Sequence, residues 1–392
     1  MSNEVYIDFL PGLIRAARME EDRLEALLMI RADKPQVVGN QYVGCVAVID
    51  RGLGAAFVDI GLKQHGFLPL QDIPKALGGG NINEGDYLCV EAVREAFDDK
   101  GVRLRARVKS DLPGKVQTLK TIDRLRQWIL GQKQEIDCIH VTDARIAQEI
   151  RGYLPELKKE DLVVNHVVER PDLFEREAIE EQIEQLFQIK IPLPSGGSLL
   201  FEQGRTLTAI DVNKGTMQHN SGSEMLHYVL NLEAVEEIGR QLRLRNVAGR
   251  IMIDFPYMKL VDHQKKLQAN FKAVLKKDGV GHKLLPLYMT GVQELTRKRA
   301  GLSLQDLLLE PVGIGGLGQE KAPFMYGMSA LRRLWSESIY QRSSKARIVA
   351  SNRVIEFLSS CAALPYVEEK IGTKISLYEN SAWTPDNVIL FE

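Results

Sequence analysis

The sequence is poor in cysteine, in aromatic residues and in long apolar runs. Its four cysteines are scattered and none forms a CxxC pair, which argues against a disulfide framework and against a cysteine-rich zinc site. No apolar run approaches the roughly 20 residues that a membrane-spanning helix needs, so we expect no membrane protein. The start, MSNEVYIDFLPGL, lacks a basic segment followed by an apolar one, so we expect a cytoplasmic protein.

The chain also has almost no net charge, because the formal charges of its 392 residues sum to -1. Its length predicts about two to four structural units. The charge is uneven, however: residues 240–300 hold 14 Lys or Arg against 4 Asp or Glu. Such a local excess can serve a polyanionic partner. The alternative is an ordinary solvated helix face, and this applies above all to Lys265, Lys266, Lys276 and Lys277.

Residues 38–108 contain short β-like runs broken by turn residues, among them NQYVGCVAVID, AAFVDIG and HGFLPL. This pattern predicts a small antiparallel barrel. Phe57 and Phe67 fall in successive runs, where alternation can put both rings on an exposed face able to stack unpaired bases. The alternative is that both rings belong to the barrel core.

The stretch after the barrel predicts a mixed α/β region. Apolar residues at helical spacing predict amphipathic helices over 115–130 and 175–188, and DCIHVTD between them predicts a buried strand. The glycine-rich run EPVGIGGLGQEKAP predicts a flexible join, followed by a helical and strand-like tail.

The most informative segment is RTLTAIDVNKG, followed by a long helical stretch and then GRIMIDFPYM. A strand, helix and strand in one sheet make a right-handed crossover with parallel strands, whose carboxyl ends share one edge. Asp211 and Asp254 each end an apolar run, so they are predicted to be neighbours. Two carboxylates at that edge suit Mg²⁺.

A divalent metal at that site would fit phosphodiester hydrolysis, because it neutralises charge on the phosphoryl oxygens and lowers the pKa of a bound water. Asn213, on the same side as Asp211, is predicted to orient a carboxylate or hold the phosphate. The alternative is that Asp211 and Asp254 cap turns or helix starts.

The motifs IDVNKG, LNLEAVEEIGRQLRLRNVAGRIMIDF and LTRKR, within 193–307, resemble the catalytic core of the ribonuclease E/G family. The resemblance implies that Asp211 and Asp254 coordinate the catalytic magnesium, for which Mn²⁺ is a possible substitute, and that Asn213 is the motif asparagine. GNQYVGCVAVIDRGLGAAFVDIGLKQHGFLPLQDI resembles the S1-type RNA-binding domain of the same family, which favours stacking for Phe57 and Phe67.

The resemblance implies an α/β (α+β multidomain) fold. An RNase H-like scaffold over 1–35 and 115–189 would carry an inserted S1/OB-type β-barrel over 36–108. A DNase I-like catalytic subdomain over 190–309, a linker region over 310–345 and a small C-terminal α/β domain over 346–392 would follow.

The basic clusters are similar to family positions near the RNA path, where each could contact a phosphate. Solvated surface charge is the alternative for each of them. The predicted RNA-binding cations are Lys100, Arg240, Arg243, Arg245, Arg297, Lys298 and Arg299.

Two usual features of the family are missing. Only about ten residues, 108–117, join the barrel to the next predicted element, which leaves no room for the family's 5′-end sensor subdomain. The family's zinc-sharing cysteine pair should follow SLQDLL, but LLEPVGIGGLGQ holds no cysteine. We therefore expect no zinc and no zinc-linked dimer, while a homodimer formed in another way stays open.

Together these patterns predict a Mg-dependent endoribonuclease that acts on single-stranded RNA in rRNA or tRNA processing or mRNA decay. One alternative is a non-catalytic S1-domain RNA-binding regulator. A site without chemistry would have no reason to keep a like-charged pair, which argues against that alternative. A third hypothesis is a metal-dependent nuclease that acts on DNA, since a barrel of this kind accepts single strands generally.

Overall fold

The structure is a computed structural model that describes residues 2–96, 101–109, 111–132, 136–157, 162–168, 171–215, 222–312, 318–340, 346–380, 382–384 and 388–391. Its strands are β1 (Asn3–Leu10), β2 (Leu13–Glu20), β3 (Arg23–Arg31), β4 (Gln41–Asp50), β5 (Ala55–Asp59), β6 (Gly66–Pro69), β7 (Tyr87–Arg94), β8 (Arg103–Arg107), β9 (Gln117–Lys120), β10 (Cys138–Val141), β11 (Val163–His166), β12 (Lys190–Pro192), β13 (Ser198–Gln203), β14 (Thr208–Asn213), β15 (Gly249–Asp254), β16 (His282–Leu284), β17 (Val292–Arg297), β18 (Leu309–Val312), β19 (Gly318–Lys321), β20 (Ala346–Ala350), β21 (Ile375–Glu379) and β22 (Ile389–Phe391).

The helices are α1 (Arg124–Gly131), α2 (Ala144–Leu157), α3 (Leu173–Arg176), α4 (Ile179–Gln185), α5 (Ser223–Leu244), α6 (Val261–Asp278), α7 (Leu304–Leu308), α8 (Pro323–Tyr340), α9 (Asn352–Ser360) and α10 (Ala363–Ile371), with 3-10 turns at Leu70–Asp72 and Lys75–Leu77. Across the described ranges, no helix has the length and apolar character to cross a membrane. The chain folds as two compact units, Met1–Lys34 with Trp128–Lys298 and Ser303–Glu392, and Pro35–Gln127 with Arg299–Leu302.

The second unit is a closed five-stranded barrel. β4 pairs with both β5 and β7, so the order β5-β6-β8-β7-β4 closes on itself. Closure removes the free strand edges that would otherwise invite pairing with other chains. The predicted barrel is therefore confirmed, although β6 and β8 pair in parallel rather than antiparallel.

The helix predicted over residues 115–130 from the spacing of apolar residues is wrong for the first part of this range. The first part forms β9, which pairs with β4 through Val43 and Gln117, and the helix α1 begins only at Arg124. A local pattern cannot reveal this pairing, because it depends on a strand some 70 residues away in the sequence. The helix predicted over 175–188 is likewise divided into α3 and α4, since Ala178 adopts a left-handed conformation with φ of 52°.

The first unit contains a sheet of order β11-β10-β1-β2-β3. β1 and β10 pair in parallel although the barrel lies between them in the sequence, and the strand predicted in DCIHVTD is confirmed as β10. A buried charge cluster supports this sheet. Asp8, 1% exposed, accepts hydrogen bonds from Arg15 at 2.8 Å and Arg332 at 3.0 Å.

A second sheet of the first unit has the order β12-β13-β14-β15-β17-β16. One face packs against α5 and α6 in a shared apolar core that includes Ile210, Ile253, Ile238 and Phe271. The residues that alternate with these core positions point to the opposite face, which is partly exposed. This half-covered sheet carries the candidate site.

The range 310–345 was predicted to be a linker, but its described residues form the β18–β19 hairpin and helix α8. Leu331 and Trp335 of α8 share an apolar core with Ile348 of β20 and Val354 of α9. The prediction of a linker is therefore wrong for the described part of this range, while residues 313–317 of the predicted flexible join lie outside the described residues. The remaining small sheet has the order β21-β20-β22.

Candidate active site

Asp211 and Asp254 lie directly opposite each other on neighbouring parallel strands. β14 pairs with β15 in parallel, with Asp211 in register with Asp254 and Ile210 with Ile253. Adjacent strands lie about 4.8 Å apart, so two carboxylates share one small region of the sheet. The predicted strand–helix–strand arrangement and the predicted juxtaposition of the two aspartates are both confirmed.

Their exposure follows from strand alternation. Ile210 and Ile253 are buried against the helices, whereas Asp211 is half-buried and Asp254 is exposed on the other face. Neither aspartate caps a helix, because the N-cap residues of α5 and α6 are Gly222 and Leu260. The alternative explanation of both residues as helix caps is thereby excluded.

Asn213 supports this pair from two positions along β14. Its side-chain nitrogen Nδ2 donates a hydrogen bond to Oδ2 of Asp211 at 2.6 Å. The contact holds the Asp211 carboxylate in one orientation and partly offsets its charge. Of the two roles predicted for Asn213, the geometry favours orienting a carboxylate.

The donor set fits a magnesium ion. Mg²⁺ binds hard oxygen ligands, commonly one or two carboxylates together with water and substrate phosphate. Within the described residues, no group of three or more His, Cys, Asp or Glu side chains could hold a metal ion, so any metal here would use the pair. Two like charges directly opposite each other on adjacent strands repel, and a cation would relieve that repulsion.

The segment that follows Asp254 is held to the start of α5. Glu224 accepts hydrogen bonds from the backbone nitrogens of Lys259 at 2.8 Å and Leu260 at 3.2 Å, and it contacts Nδ1 of His263 at 2.9 Å. Desolvation acts to raise the pKa of Glu224, but these hydrogen bonds outweigh it and lower that pKa below its usual value. The carboxylate therefore stays ionised and anchors the segment.

Three exposed lysines near the aspartates were missed by the sequence reasoning. Lys190 is paired with Leu200, which is paired with Asp211, so all three share the open face. Two strand spacings put the Lys190 backbone roughly 10 Å from Asp211. Lys214 follows Asn213, and Lys259 lies five residues after Asp254; both are exposed. For Lys214 and Lys259 their proximity in sequence to the motifs was a usable signal.

Arg240 and Arg243 lie at the other end of α5 and are engaged in ion pairs. Arg240 donates to Glu237 at 2.9 Å and to the Leu24 carbonyl at 2.8 Å. Arg243 donates to Glu25 at 2.8 Å. Both side chains retain partial exposure, so a phosphate contact would compete with these carboxylates.

Arg245 and Arg297 were predicted to contact RNA, but they are only 3% and 2% exposed. Their burial contradicts this prediction. Arg297 donates two hydrogen bonds to Asp278, at 2.6 and 2.9 Å, and one to the Val247 carbonyl at 2.6 Å. Arg245 lies over the Phe201 ring, 4.5 Å from its centroid. Burial lowers the pKa of Arg245 to about 10. Both side chains are therefore engaged in contacts within the first unit.

The remaining predicted cations have different positions. Lys298 is exposed and its backbone nitrogen donates to the Gly281 carbonyl at 2.8 Å. Arg299 is half-buried and belongs to the unit that contains the barrel. Lys100 lies outside the described residues.

Phe57 and Phe67 are cross-strand partners on β5 and β6 of the barrel. Their ring centroids are 6.0 Å apart with an edge-to-face angle of 73°. Both are half-buried, while Val58 and Leu68, the next residues along each strand, are fully buried in the barrel core. The two rings therefore lie on the outer face, and the core alternative does not hold.

Comparison with known proteins gives a consistent result. The model of the ribonuclease E/G family matches residues 107–300. The chain is 28% identical to ribonuclease E of Buchnera aphidicola (subsp. Schizaphis graminum) over 383 residues, which cover 74% of this chain and 40% of that protein. It is 26% identical to ribonuclease E of Escherichia coli K12 over 438 residues, covering 88% of this chain and 41% of that protein.

A shorter relative is covered more completely. The chain is 25% identical to ribonuclease G of Escherichia coli K12 over 405 residues, covering 79% of this chain and 82% of that protein. It spans about two fifths of the length of the ribonuclease E proteins named above. The family match covers β14, α5, β15 and β17, and therefore includes Asp211, Asn213 and Asp254. The chain belongs to the ribonuclease E/G family.

Proposed function

We propose that the protein is a Mg²⁺-dependent endoribonuclease that hydrolyses phosphodiester bonds in single-stranded RNA. The observation that carries this proposal is the register of Asp211 opposite Asp254, with Asn213 hydrogen-bonded to Asp211. Its relatives are named ribonucleases. The task in the cell would be rRNA or tRNA processing or mRNA decay.

Each residue has a distinct part in this chemistry. Asp211 and Asp254 would hold the magnesium ion, or Mn²⁺ in its place, and Asn213 would keep the Asp211 carboxylate oriented. When bound, the ion would supply charge neutralisation at the phosphate and a water of lowered pKa. Lys190, Lys214 and Lys259 would bind neighbouring phosphates and so position the scissile bond.

We also propose which parts of the structure correspond to the subdomains of the family. The sheet of β1–β3, β10 and β11 would be the RNase H-like scaffold, and the barrel inserted in it the S1-type domain. The sheet that carries Asp211 and Asp254, with α5 and α6, would be the DNase I-like catalytic subdomain. A homodimer not linked by zinc and a cytoplasmic location stay predictions from the sequence.

The proposal is tested by incubating the purified chain with a single-stranded, AU-rich RNA and with DNA of the same sequence. We expect internal cleavage of the RNA in Mg²⁺, none in EDTA, and little or no cleavage of the DNA. RNA binding without cleavage in Mg²⁺ or Mn²⁺ would favour the regulator. Equal cleavage of DNA would favour a general single-strand nuclease.

The barrel is predicted to grip RNA through its outer aromatic pair. Replacing Phe57 or Phe67 by alanine should weaken RNA binding by about 1–3 kcal/mol each, since one stacked base is lost. Fluorescence anisotropy with labelled RNA measures this loss. Phe57→Tyr is the matched control and should bind normally. Unchanged affinity in both alanine variants, with circular dichroism showing an intact fold, would contradict the stacking role.

A third expectation concerns the RNA end. Nine residues join β8 to β9, a segment too short for a separate sensor subdomain. RNAs of one sequence that carry a 5′-hydroxyl or a 5′-monophosphate should therefore be cut at similar rates. Initial rates at subsaturating RNA make the comparison. A large advantage for the monophosphate would mean that another part of the chain recognises the end.

A further inference from the structure

An exposed aromatic side chain follows the second aspartate. Tyr257, three residues after Asp254, is 47% exposed, whereas Phe255, two residues before it, and Met258, directly after it, are 3% and 2% exposed. Three residues of extended chain span at most about 11 Å, so the Cα atom of Tyr257 lies within this distance of that of Asp254. Neither core packing nor the proposed metal site accounts for an aromatic ring at this position.

The backbone that carries Tyr257 is held on both sides. Its carbonyl oxygen contacts Nδ1 of His227 at 2.8 Å, and the preceding Pro256 carbonyl accepts from Nδ2 of Asn231 at 2.9 Å. The Met258 carbonyl accepts from Nε2 of Gln264 at 2.7 Å. An exposed ring on a fixed backbone loses little conformational freedom when a ligand stacks on it, which favours binding.

A second exposed aromatic ring comes from the turn before β17. Tyr288 is 50% exposed, and the turn is closed by hydrogen bonds from Gly291 to the Tyr288 carbonyl and from Tyr288 to the Val292 carbonyl, at 3.0 and 2.9 Å. Val292 is in register with Asp254. The turn therefore lies beside the same end of β15.

The two aromatic segments approach each other closely at Gly291. A Cβ atom at this glycine would lie 2.5 Å from the Phe255 carbonyl oxygen and 3.8 Å from Cα of Tyr257. Gly291 also has a φ of 95°, a conformation that glycine adopts readily and other residues rarely do. The glycine thus permits the turn with Tyr288 to pack against the segment with Tyr257.

We propose that Tyr257 and Tyr288 form a stacking platform for unpaired RNA bases that flank the scissile phosphate. The inference rests on the proposed function and deepens it. Base faces stack on aromatic rings only when the strand is unpaired and its bases can be splayed out. Exposed Lys259 and Lys214 supply the positive charge that the adjoining phosphates require. The platform makes the cleavage site itself selective for single strands, independently of the barrel.

The test uses a single-stranded RNA that carries 2-aminopurine near its cleavage site, bound to the full chain in EDTA, so that no catalysis is needed. Stacking quenches 2-aminopurine fluorescence. Tyr257→Ala should weaken binding by roughly 5- to 150-fold and reduce the quenching, Tyr257→Phe should restore both, and Tyr288→Ala should have a smaller or similar effect. The control is Tyr378→Ala, because Tyr378 is 49% exposed on β21.

Cleavage assays with single-stranded and duplex RNA provide a second measurement. Tyr257→Ala should narrow the preference for single-stranded over duplex RNA, mainly through a raised KM. Wild-type affinity and quenching in both Tyr257→Ala and Tyr288→Ala would overturn the platform, and would leave the patch as a surface for a protein partner. Absence of any RNA cleavage by the wild-type chain in Mg²⁺ would instead overturn the proposed function, so the two failures are distinguishable.

Discussion

Replacing Asp211 or Asp254 by asparagine should reduce RNA cleavage on the order of 10³-fold, with RNA binding retained. Each change removes one of the two carboxylates that would hold the metal, and groups that stabilise developing charge in a reaction are worth about this much. Single-turnover cleavage at saturating RNA measures the effect. Asn213→Ala should reduce cleavage less, about 10- to 100-fold, because Asn213 orients a ligand.

Stability provides a second readout that needs no activity. Asp211 and Asp254 face each other as like charges, so Asp211→Asn should stabilise the metal-free protein by about 0.2–1 kcal/mol. Mg²⁺ should raise the Tm of the wild type by binding only the folded state, and this rise should vanish in the variant. Glu202→Gln is the matched control, because Glu202 is exposed on the same sheet, paired with Ala209. RNA cleavage at the wild-type rate by both Asp211→Asn and Asp254→Asn would contradict the proposed role of the two carboxylates.

Replacing Arg297 by methionine should destabilise the first unit by about 3–5 kcal/mol. The change removes four hydrogen bonds, two to Asp278, one to the Asn246 side chain and one to the Val247 carbonyl. It also leaves the Asp278 carboxylate, 7% exposed, without its charge partner. Breaking a buried ion pair on one side only is costly for this reason. Urea unfolding followed by circular dichroism measures the loss, and adding Asp278→Leu to Arg297→Met should recover much of it.

The neighbouring residue separates a structural role from an RNA contact. Lys298→Met should leave the free energy of unfolding nearly unchanged, because Lys298 is exposed. If Lys298 contacts a phosphate, the variant should also lower the slope of log K for RNA binding against log salt concentration by about one unit. An Arg297→Met variant with wild-type stability and a reduced salt slope would restore the RNA contact that the sequence predicted for Arg297.

Several features could be predicted from sequence because they depend on local patterns. The apolar runs before Asp211 and Asp254, with a helical stretch between them, predicted parallel neighbouring strands, and the register confirms it. The short runs of the barrel predicted its closure in the same way. Alternation along β5 and β6 also predicted that Phe57 and Phe67 can share an outer face, as the structure has them.

Local patterns gave wrong predictions where the structure depends on contacts between residues far apart in the sequence. Residues 117–120 have helical spacing yet pair with β4. Arg245 and Arg297 look like solvent-facing cations in the sequence, but their burial depends on acceptors supplied by distant residues such as Gln188 and Asp278. Charge content alone therefore overestimated the number of cations available to RNA.

The sequence by itself determined which functional groups the candidate site carries, because a carboxylate, an amide and their motif are properties of the residues. The tertiary structure decided which groups surround that site. Strand pairing brought Lys190 to the face of Asp211, and a tight glycine turn brought Tyr288 beside the segment of Tyr257. Such contacts join residues far apart in the chain, so only packing, and no local periodicity, specifies them.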